Sequence, residues 1–110
     1  MGSSLSKHDV FQAIADPTRR KLLKLLANKE MSIAAITECF PISRTAVNKH
    51  LHVLFEAGLV IRRKAGQETR YRLQPEPLVT LKDWLEFFEQ YWDGKLSALK
   101  EYVEDDNESD

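Results

Sequence analysis

The middle of the chain carries the side chains best suited to bind a polyanion. Residues 41–73 contain seven Lys or Arg and two Asp or Glu, a net charge of +5, whereas residues 74–110 have a net charge of −8. Residues 1–40 add +2, which leaves the 110-residue chain at −1 overall. Because basic side chains attract phosphate and carboxylates repel it, we expect the middle of the chain to face a polyanion and its end to avoid one.

Within this basic block, residues 43–57 are predicted to form a helix with an apolar side and a polar side. Ser43 is a suitable N-cap, and Gly58 suits the position after the helix, where a left-handed backbone is often needed. The major groove of DNA is about 12 Å wide and admits one helix, in which Arg can pair with guanine and Asn with adenine. The outward residues, our candidates for DNA contact, are Ser43, Arg44, Thr45, Asn48, Lys49 and His52.

The other basic side chains of the block lie on a predicted hairpin. Leu59–Ala65 and Glu68–Leu73 have the composition of short strands, and Gly66-Gln67 suits the turn between them. A short helix, a turn, a cationic helix and a basic hairpin are the elements of a winged helix-turn-helix, in that order. We call residues 61–72 the wing, and predict phosphate or minor-groove contacts from its residues Arg62, Arg63, Lys64, Arg70 and Arg72.

Three shorter helices are predicted to support these two elements. The first begins in a capping-box-like sequence at Ser6, the second at Asp16-Pro17, and the third is capped by Ser32. With a last helix, the predicted fold is mainly α with a small β-hairpin: five helices plus the wing. We expect one domain over residues 6–104, a disordered N-terminus over residues 1–5 and an acidic disordered tail over residues 105–110.

The last helix, predicted from about Pro77 to Glu104, is more apolar than one packed face requires. Its apolar residues recur nearly as a heptad seam, and a second aromatic set lies beside that seam. Large exposed aromatic side chains would form a sticky patch, so we expect a second copy of the chain to cover part of this surface. The residues predicted to meet the second copy are Trp84, Phe88, Tyr91, Trp92 and Leu99.

The sequence offers no arrangement of residues for enzyme, metal or membrane chemistry. It has no Gly-rich phosphate loop, nucleophile elbow or His-Glu-x-x-His motif, so we expect neither catalysis nor a cofactor. Cys39 is its single cysteine, which allows no internal disulfide and fits a reducing cytoplasm. No apolar run approaches the roughly 20 residues of a membrane span, and no secretory signal precedes the domain.

Three linked motifs resemble the ArsR-type transcriptional repressors. Residues 13–23, AIADPTRRKLL, are similar to that family's ALADPTRRRIL opening, and residues 42–51, ISRTAVNKHL, to its SRPAVSKHL recognition helix. FEAGLV at residues 55–60, with Gly66 and the YRL of residues 71–73, resembles its wing. The resemblance covers roughly residues 9–104.

The resemblance implies a homodimer and a repressor that leaves double-stranded DNA when a small-molecule inducer binds. In that family the first and last helices form the dimer interface, which adds Val10, Phe11 and Ile14 to the predicted interface residues. A two-fold dimer would bind a palindromic operator.

The metal-sensing motif of the family is missing. Its cysteine positions fall on Ser32, Ala34 and Thr37, which cannot replace thiolates for soft ions, and no histidine follows His52. The chain instead resembles the non-metal branch, and we consider a small apolar inducer near the aromatic residues of the last helix. Two alternatives stay open, a winged-helix module that binds an acidic protein and a metal- or thiol-responsive repressor that uses Cys39.

Overall fold

The computed structural model describes residues 9–92 and 101–103, and in them shows a helical fold with a small antiparallel sheet. The predicted fold class is therefore confirmed. The predicted disordered ends, residues 1–5 and 105–110, lie outside the described residues. The elements are α1 (Val10–Ala13), α2 (Pro17–Leu26), β1 (Met31–Ser32), α3 (Ile33–Glu38), α4 (Arg44–Glu56), β2 (Val60–Ala65), β3 (Glu68–Leu73), α5 (Leu78–Phe87) and α6 (Glu89–Trp92).

Carboxylate caps start the first two helices. The cap of α1 is Asp9, three residues later than the predicted start at Ser6, because Gln12 completes a capping box with it. The Asp9 carboxylate accepts the Gln12 amide at 2.7 Å, and the Gln12 side chain accepts the Asp9 amide at 3.2 Å. Asp16 caps α2 by accepting the Arg19 amide at 3.1 Å, and Pro17 occupies the first helical position as predicted.

The two helices of the helix-turn-helix unit are α3 and α4, and serines cap both. Ser32 and Ser43 accept amide hydrogen bonds from the residues three positions on, at 3.2 and 3.1 Å. Gly58 ends α4 with a φ of +77°, which glycine adopts at little cost. The amides of Gly58 and Leu59 then bond to the carbonyls of Phe55 and Leu54, the pattern of a Schellman motif.

The sheet has three strands in the order β1-β3-β2, all antiparallel. The hairpin of β2 and β3 is confirmed, with Gly66 in its turn at a φ of +66°. Sequence reasoning missed β1, because two residues are too few to show strand alternation. Its pairing of Met31 with Tyr71 attaches the start of α3 to the hairpin.

A core of aliphatic side chains lies beneath α4. The α4 side chains with no exposure are Val47, Leu51 and Leu54, and their buried neighbours come from α2, α3 and the base of the hairpin. Because these contacts take one side of α4 out of water, the opposite side is left for a partner. The neighbours are Leu22, Leu26, Ile36, Leu59 and Val60.

The last helix is interrupted at Phe88, where we predicted one helix over residues 77–104. The Phe88 amide bonds to the Leu85 carbonyl three residues back, at 3.0 Å, and the Gln90 side chain donates to the Phe87 carbonyl at 3.2 Å. These bonds replace the i to i−4 ladder and end α5. Residues 101–103 are helical, and residues 93–100 lie outside the description.

The described residues up to Thr80 form one compact unit, and those from Leu81 onward form a second. The first unit contains the helix-turn-helix and the wing, and the second contains most of α5 and all of α6. A single domain over residues 6–104 stays a prediction. None of the helices in the described ranges has the length and apolarity needed to cross a membrane.

Replacing Asp16 by alanine should lower the free energy of unfolding by about 1 kcal/mol, the usual value of an N-cap. Burial raises the pKa of Asp16, but the hydrogen bond from the Arg19 amide and the charges of His50 and Arg19 lower it by more. The ionised cap therefore stabilises the fold fully above about pH 4, and this stabilisation is lost as the pH falls further.

Urea unfolding followed by circular dichroism at neutral and acidic pH would measure this difference. Asp16→Asn is the control, since it keeps a capping oxygen and should stay close to the wild type at neutral pH. Equal stability of the wild type and Asp16→Ala at neutral pH would contradict the assignment of Asp16 as a stabilising cap.

Candidate nucleic-acid interface

The polar side of α4 is exposed along its length. Val47 and Leu51 point to the core, and all six outward residues that we predicted to contact DNA are exposed. Part of this side forms a shallow, open depression. The depression is lined by Thr45, Asn48, Lys49, His52 and Val53.

Two of the six outward residues of α4 also have partners in their own helix. The Ser43 hydroxyl accepts the Ala46 amide, so it can still donate its own hydrogen. The His52 Nε2 lies 3.2 Å from a carboxylate oxygen of Glu56, although 61% of the His52 side chain is exposed. Ser43 therefore serves the helix as a cap, and His52 is held beside a carboxylate at the far end of α4.

The wing separates its five basic residues onto the two faces of the hairpin. Arg63 stands directly opposite Arg70, and Arg72 shares their face because side chains alternate along a strand. Arg62 and Lys64 lie on the other face, the one that carries the buried Tyr71. The sequence prediction grouped all five, and the structure shows two separate sets.

Carboxylates accompany the arginines of the first face. Glu30 accepts two hydrogen bonds from Arg63, at 2.8 Å to Nε and 2.7 Å to Nη2. Glu68 pairs with Arg70 through one oxygen, Oε1, which accepts from Nε at 3.1 Å and lies 3.1 Å from Nη2. The hydrogen bond from Arg63, and then the charges of Arg63, Arg70 and Arg72, hold the pKa of Glu30 below its ordinary value against the effect of burial.

Glu30 is a functional candidate that sequence reasoning missed. It lies 33 residues from Arg63 in the chain, and the strand that brings them together is the short β1. The Glu30 carboxylate offsets the repulsion among the arginines of this face, and it also occupies Arg63 donors that a phosphate would use. Glu30 therefore bears directly on how this face of the wing meets a polyanion.

Arg62 is oriented by an aromatic ring. Its guanidinium carbon lies 3.9 Å from the centroid of Phe55, the geometry of a cation–π contact. Phe55 belongs to α4, so this contact joins the recognition helix to the wing.

The predicted dimer residues differ in their exposure. Trp84 and Tyr91 are 52% and 62% exposed, while Phe88 and Trp92 are half-buried and contact one another at a centroid distance of 6.3 Å. Phe87, which the predicted set omitted, is 62% exposed. Leu99 lies outside the described residues.

The three interface residues predicted in and just after α1 also differ in their exposure. Val10 is buried within its own chain, at 9% exposure, so it has little surface left for a partner. Phe11 is 38% exposed, and Ile14 is half-buried. On this short helix, Phe11 is therefore the main candidate for contact with a second copy.

The positions of the family's metal ligands are occupied by side chains with local roles. Ser32 caps α3, and the Thr37 hydroxyl donates to the Ile33 carbonyl at 2.8 Å. Cys39 is exposed, and its Sγ lies 3.5 Å from the Ala35 carbonyl oxygen. Within residues 9–92 and 101–103, no three His, Cys, Asp or Glu side chains are grouped closely enough to hold a metal ion.

Comparison with known proteins agrees with this geometry. Residues 14–63 match the model of a helix-turn-helix domain family. The HTH-type transcriptional regulator Rv2034 of Mycobacterium tuberculosis is 34% identical over 110 residues, which cover all of this chain and 98% of that protein. A solved structure of an ArsR-like transcriptional regulator from Rhodococcus sp. RHA1 is 35% identical and superposes with a TM-score of 0.71, covering 94% of this chain and 95% of that one.

The chain belongs to the ArsR family of helix-turn-helix transcriptional regulators. Another relative, the transcriptional repressor SdpR of Bacillus subtilis, is 36% identical over 89 residues, which cover 81% of this chain and 99% of SdpR. Members of this family bind DNA and regulate transcription, and they are not enzymes. The predicted class of function, a DNA-binding transcriptional regulator, is therefore confirmed.

Replacing Glu30 by glutamine should strengthen binding to duplex DNA of any sequence. The substitution removes a carboxylate from among three arginines and frees Arg63 for a phosphate. The slope of log affinity against log salt should therefore steepen by about one. Fluorescence anisotropy with a mixed-sequence duplex over a range of salt concentrations measures both effects.

Glu38→Gln is the charge-matched control, since Glu38 is exposed on α3 and forms no ion pair within the described residues. It should change affinity less than Glu30→Gln does. If Glu30→Gln bound DNA more weakly than the wild type, the main role of Glu30 would be to hold Arg63 in position, and the prediction that Glu30 limits DNA affinity would be wrong.

Proposed function

We propose that this ArsR-family regulator is a homodimeric repressor, acting in the cytoplasm on a palindromic operator. In this proposal α4 enters the major groove and reads bases, and the wing contacts the DNA backbone. The observation that carries the proposal is the division of α4 into a buried apolar side and an exposed side of short polar and cationic residues.

The start of α4 is suited to base recognition. Arg44, Thr45 and Asn48 occupy its first turns, the part of a recognition helix that meets base edges. Arg44 can bond in a bidentate manner to guanine, and Asn48 to adenine. Lys49 and His52 lie further along and are assigned to phosphates.

Backbone contact is assigned to the wing, with unequal roles for its residues. Lys64 makes no ion pair within the described part of the chain, and Arg62 is held over the Phe55 ring, so both can meet a phosphate directly. Arg63 and Arg70 must first release or share a carboxylate. Together the two sets provide an electrostatic attraction that falls with salt.

Dimerisation is supported by the exposed apolar residues of the second unit. Trp84, Phe87 and Tyr91 are each more than half exposed in a single chain, and covering them with a second copy would remove a large apolar area from water. Two-fold symmetry would present two copies of α4 to half-sites about 34–36 Å apart, or a multiple of that distance.

Repression is proposed because SdpR, which aligns over 81% of the chain, is named a repressor. The positions of the metal-binding cysteines hold Ser32, Ala34 and Thr37, which supports the non-metal branch. We assign no metal and no cofactor, and a small apolar inducer near Trp84, Tyr91 and Trp92 remains part of this proposal.

Substitutions in α4 and in the wing should affect DNA binding differently. Arg44→Ala or Asn48→Ala should cost about 1–3 kcal/mol on the operator and little on unrelated DNA, because a base contact is lost. Lys64→Ala should lower the affinity for the operator and for unrelated DNA by the same factor. It should also lower the slope of log affinity against log salt by about one, because a phosphate contact is lost.

Anisotropy titrations would use a duplex enriched from a randomised pool by the wild-type protein, with a scrambled duplex as control. The assigned roles would be wrong if Asn48→Ala and Lys64→Ala reduced the affinity of both duplexes by the same factor.

Replacing Trp84 and Tyr91 together by serine should convert the dimer to a monomer. Both side chains are exposed in one chain, so the fold should be kept while the apolar contact is lost. Light scattering after size-exclusion chromatography measures the mass, and circular dichroism checks the fold. Glu89→Gln, a neighbouring exposed position, should remain dimeric. A wild-type protein of monomer mass at micromolar concentration would falsify the dimer.

A further inference from the structure

A polar junction lies on the side of α4 that faces away from the predicted DNA surface. Its three members are Arg19 of α2, His50 of α4 and Asp16, the N-cap of α2. The Arg19 Nη1 lies 3.3 Å from the His50 Nδ1, and an Asp16 carboxylate oxygen lies 4.0 Å from the same ring nitrogen. The junction therefore joins α4 to α2.

The other nitrogens of the Arg19 guanidinium hold the end of α1. Nε donates to the Ala13 carbonyl at 2.6 Å, and Nη2 donates to the Gln12 carbonyl at 3.0 Å. The last carbonyls of a helix lack partners within the helix, and α1 has only four residues. One side chain thus links three elements: α1 through its carbonyls, α2 through its own backbone, and α4 through His50.

The contact between Arg19 and His50 requires a particular form of the imidazole. Arginine has donors and no acceptor, so the His50 Nδ1 must supply a lone pair, and the ring proton must lie on Nε2. A protonated His50 would present an N–H group to the guanidinium, and the hydrogen bond would be lost. Asp16 would then become its favourable partner. Among the described residues, Arg19 and Asp16 are the charged groups that face His50 within 4.0 Å.

We propose that Arg19 is a positioning residue for DNA recognition, and that it sets the orientation of α4 relative to α1 through neutral His50. This inference rests on the proposed function in two respects, the reading of bases by α4 and the contact of two copies through α1. Phe11 of α1 is the exposed residue that we assign to the dimer contact, so the junction lies between the dimer surface and the recognition helix. An altered junction would misplace both copies of α4 relative to their half-sites.

Two substitutions of His50 separate this role from simple packing. In His50→Asn the amide oxygen can occupy the place of Nδ1 and accept from Arg19, whereas His50→Gln places its amide nearer the position of Nε2. Neither substitution changes the charge at neutral pH. His50→Asn should bind the enriched duplex within about threefold of the wild type. His50→Gln should bind it about tenfold more weakly, the factor expected for a lost hydrogen bond to a charged group.

The scrambled duplex is the matched control, because its binding depends on charge and not on the orientation of α4. Both variants should bind it as the wild type does. Arg19→Lys provides a second route to the same test if His50→Gln fails to fold. It keeps the charge and cannot reproduce three donors in a planar fork, so it should also lose affinity for the enriched duplex and not for the scrambled one.

The tautomer of His50 gives a readout that packing alone would not move, because the contact with Arg19 needs a lone pair on Nδ1. Nitrogen-15 NMR of the free protein should show an unprotonated Nδ1 on His50 at neutral pH.

Several results would overturn the proposal. They are an Nδ1–H tautomer in the free protein, or equal losses of affinity for His50→Asn and His50→Gln. If the wild type enriches no duplex from the pool, the proposed function itself fails. If the wild type enriches a duplex and all variants bind that duplex as the wild type does, only the role proposed for the junction is rejected.

Discussion

The burial of one side of α4 is the interaction on which the rest of this structure depends. Val47, Leu51 and Leu54 are withdrawn from water, and this anchors the helix along its length. Burial of apolar side chains is the largest favourable contribution to folding, so the orientation of α4 is set by the same contacts that hold the core together. The polar residues on the other side of α4 are exposed as a consequence, and no further contact is needed to orient that side toward solvent.

Charge in this protein is controlled at two scales. Along the chain, the basic middle and the acidic end give a polarity that directs one part of the molecule toward DNA. At the wing, carboxylates pair with single arginines: Glu30, which precedes β1, pairs with Arg63, and Glu68 pairs with Arg70. A regulator must discriminate its operator from an excess of other DNA, and a wing with every arginine free would bind all sequences more tightly. If the wing contacts DNA as proposed, the carboxylates of Glu30 and Glu68 would favour selectivity over affinity.

Local signals predicted much of the fold, and long-range contacts account for what the sequence did not reveal. Ser43 and Gly58 mark the two ends of α4 because caps and left-handed glycines act within a few residues. Gly66 marks the hairpin turn for the same reason. The pairing of β1 with β3, and of Glu30 with Arg63, joins residues more than thirty positions apart, which no local pattern encodes.

The break at Phe88 escaped prediction for a different reason. Hydrophobic periodicity continues through it, whereas in the structure the Gln90 side chain donates to the Phe87 carbonyl at this point. The candidate site also divides into features that the local sequence predicts and features that depend on long-range contacts. The exposed side of α4 could be deduced from helical spacing, while the partners of Arg62, Arg63 and His50 required the tertiary structure.

The closure of α4 at Gly58 has a mechanical consequence. A single residue, Leu59, separates Gly58 from β2, and its amide bonds back to the Leu54 carbonyl while its carbonyl accepts the Gln74 amide at 2.8 Å. The wing is thereby attached directly to the end of α4. No flexible linker between them would allow the helix to rotate independently of the hairpin. A tilt of α4 would therefore carry the hairpin along with it, so that the helix and the wing would move together.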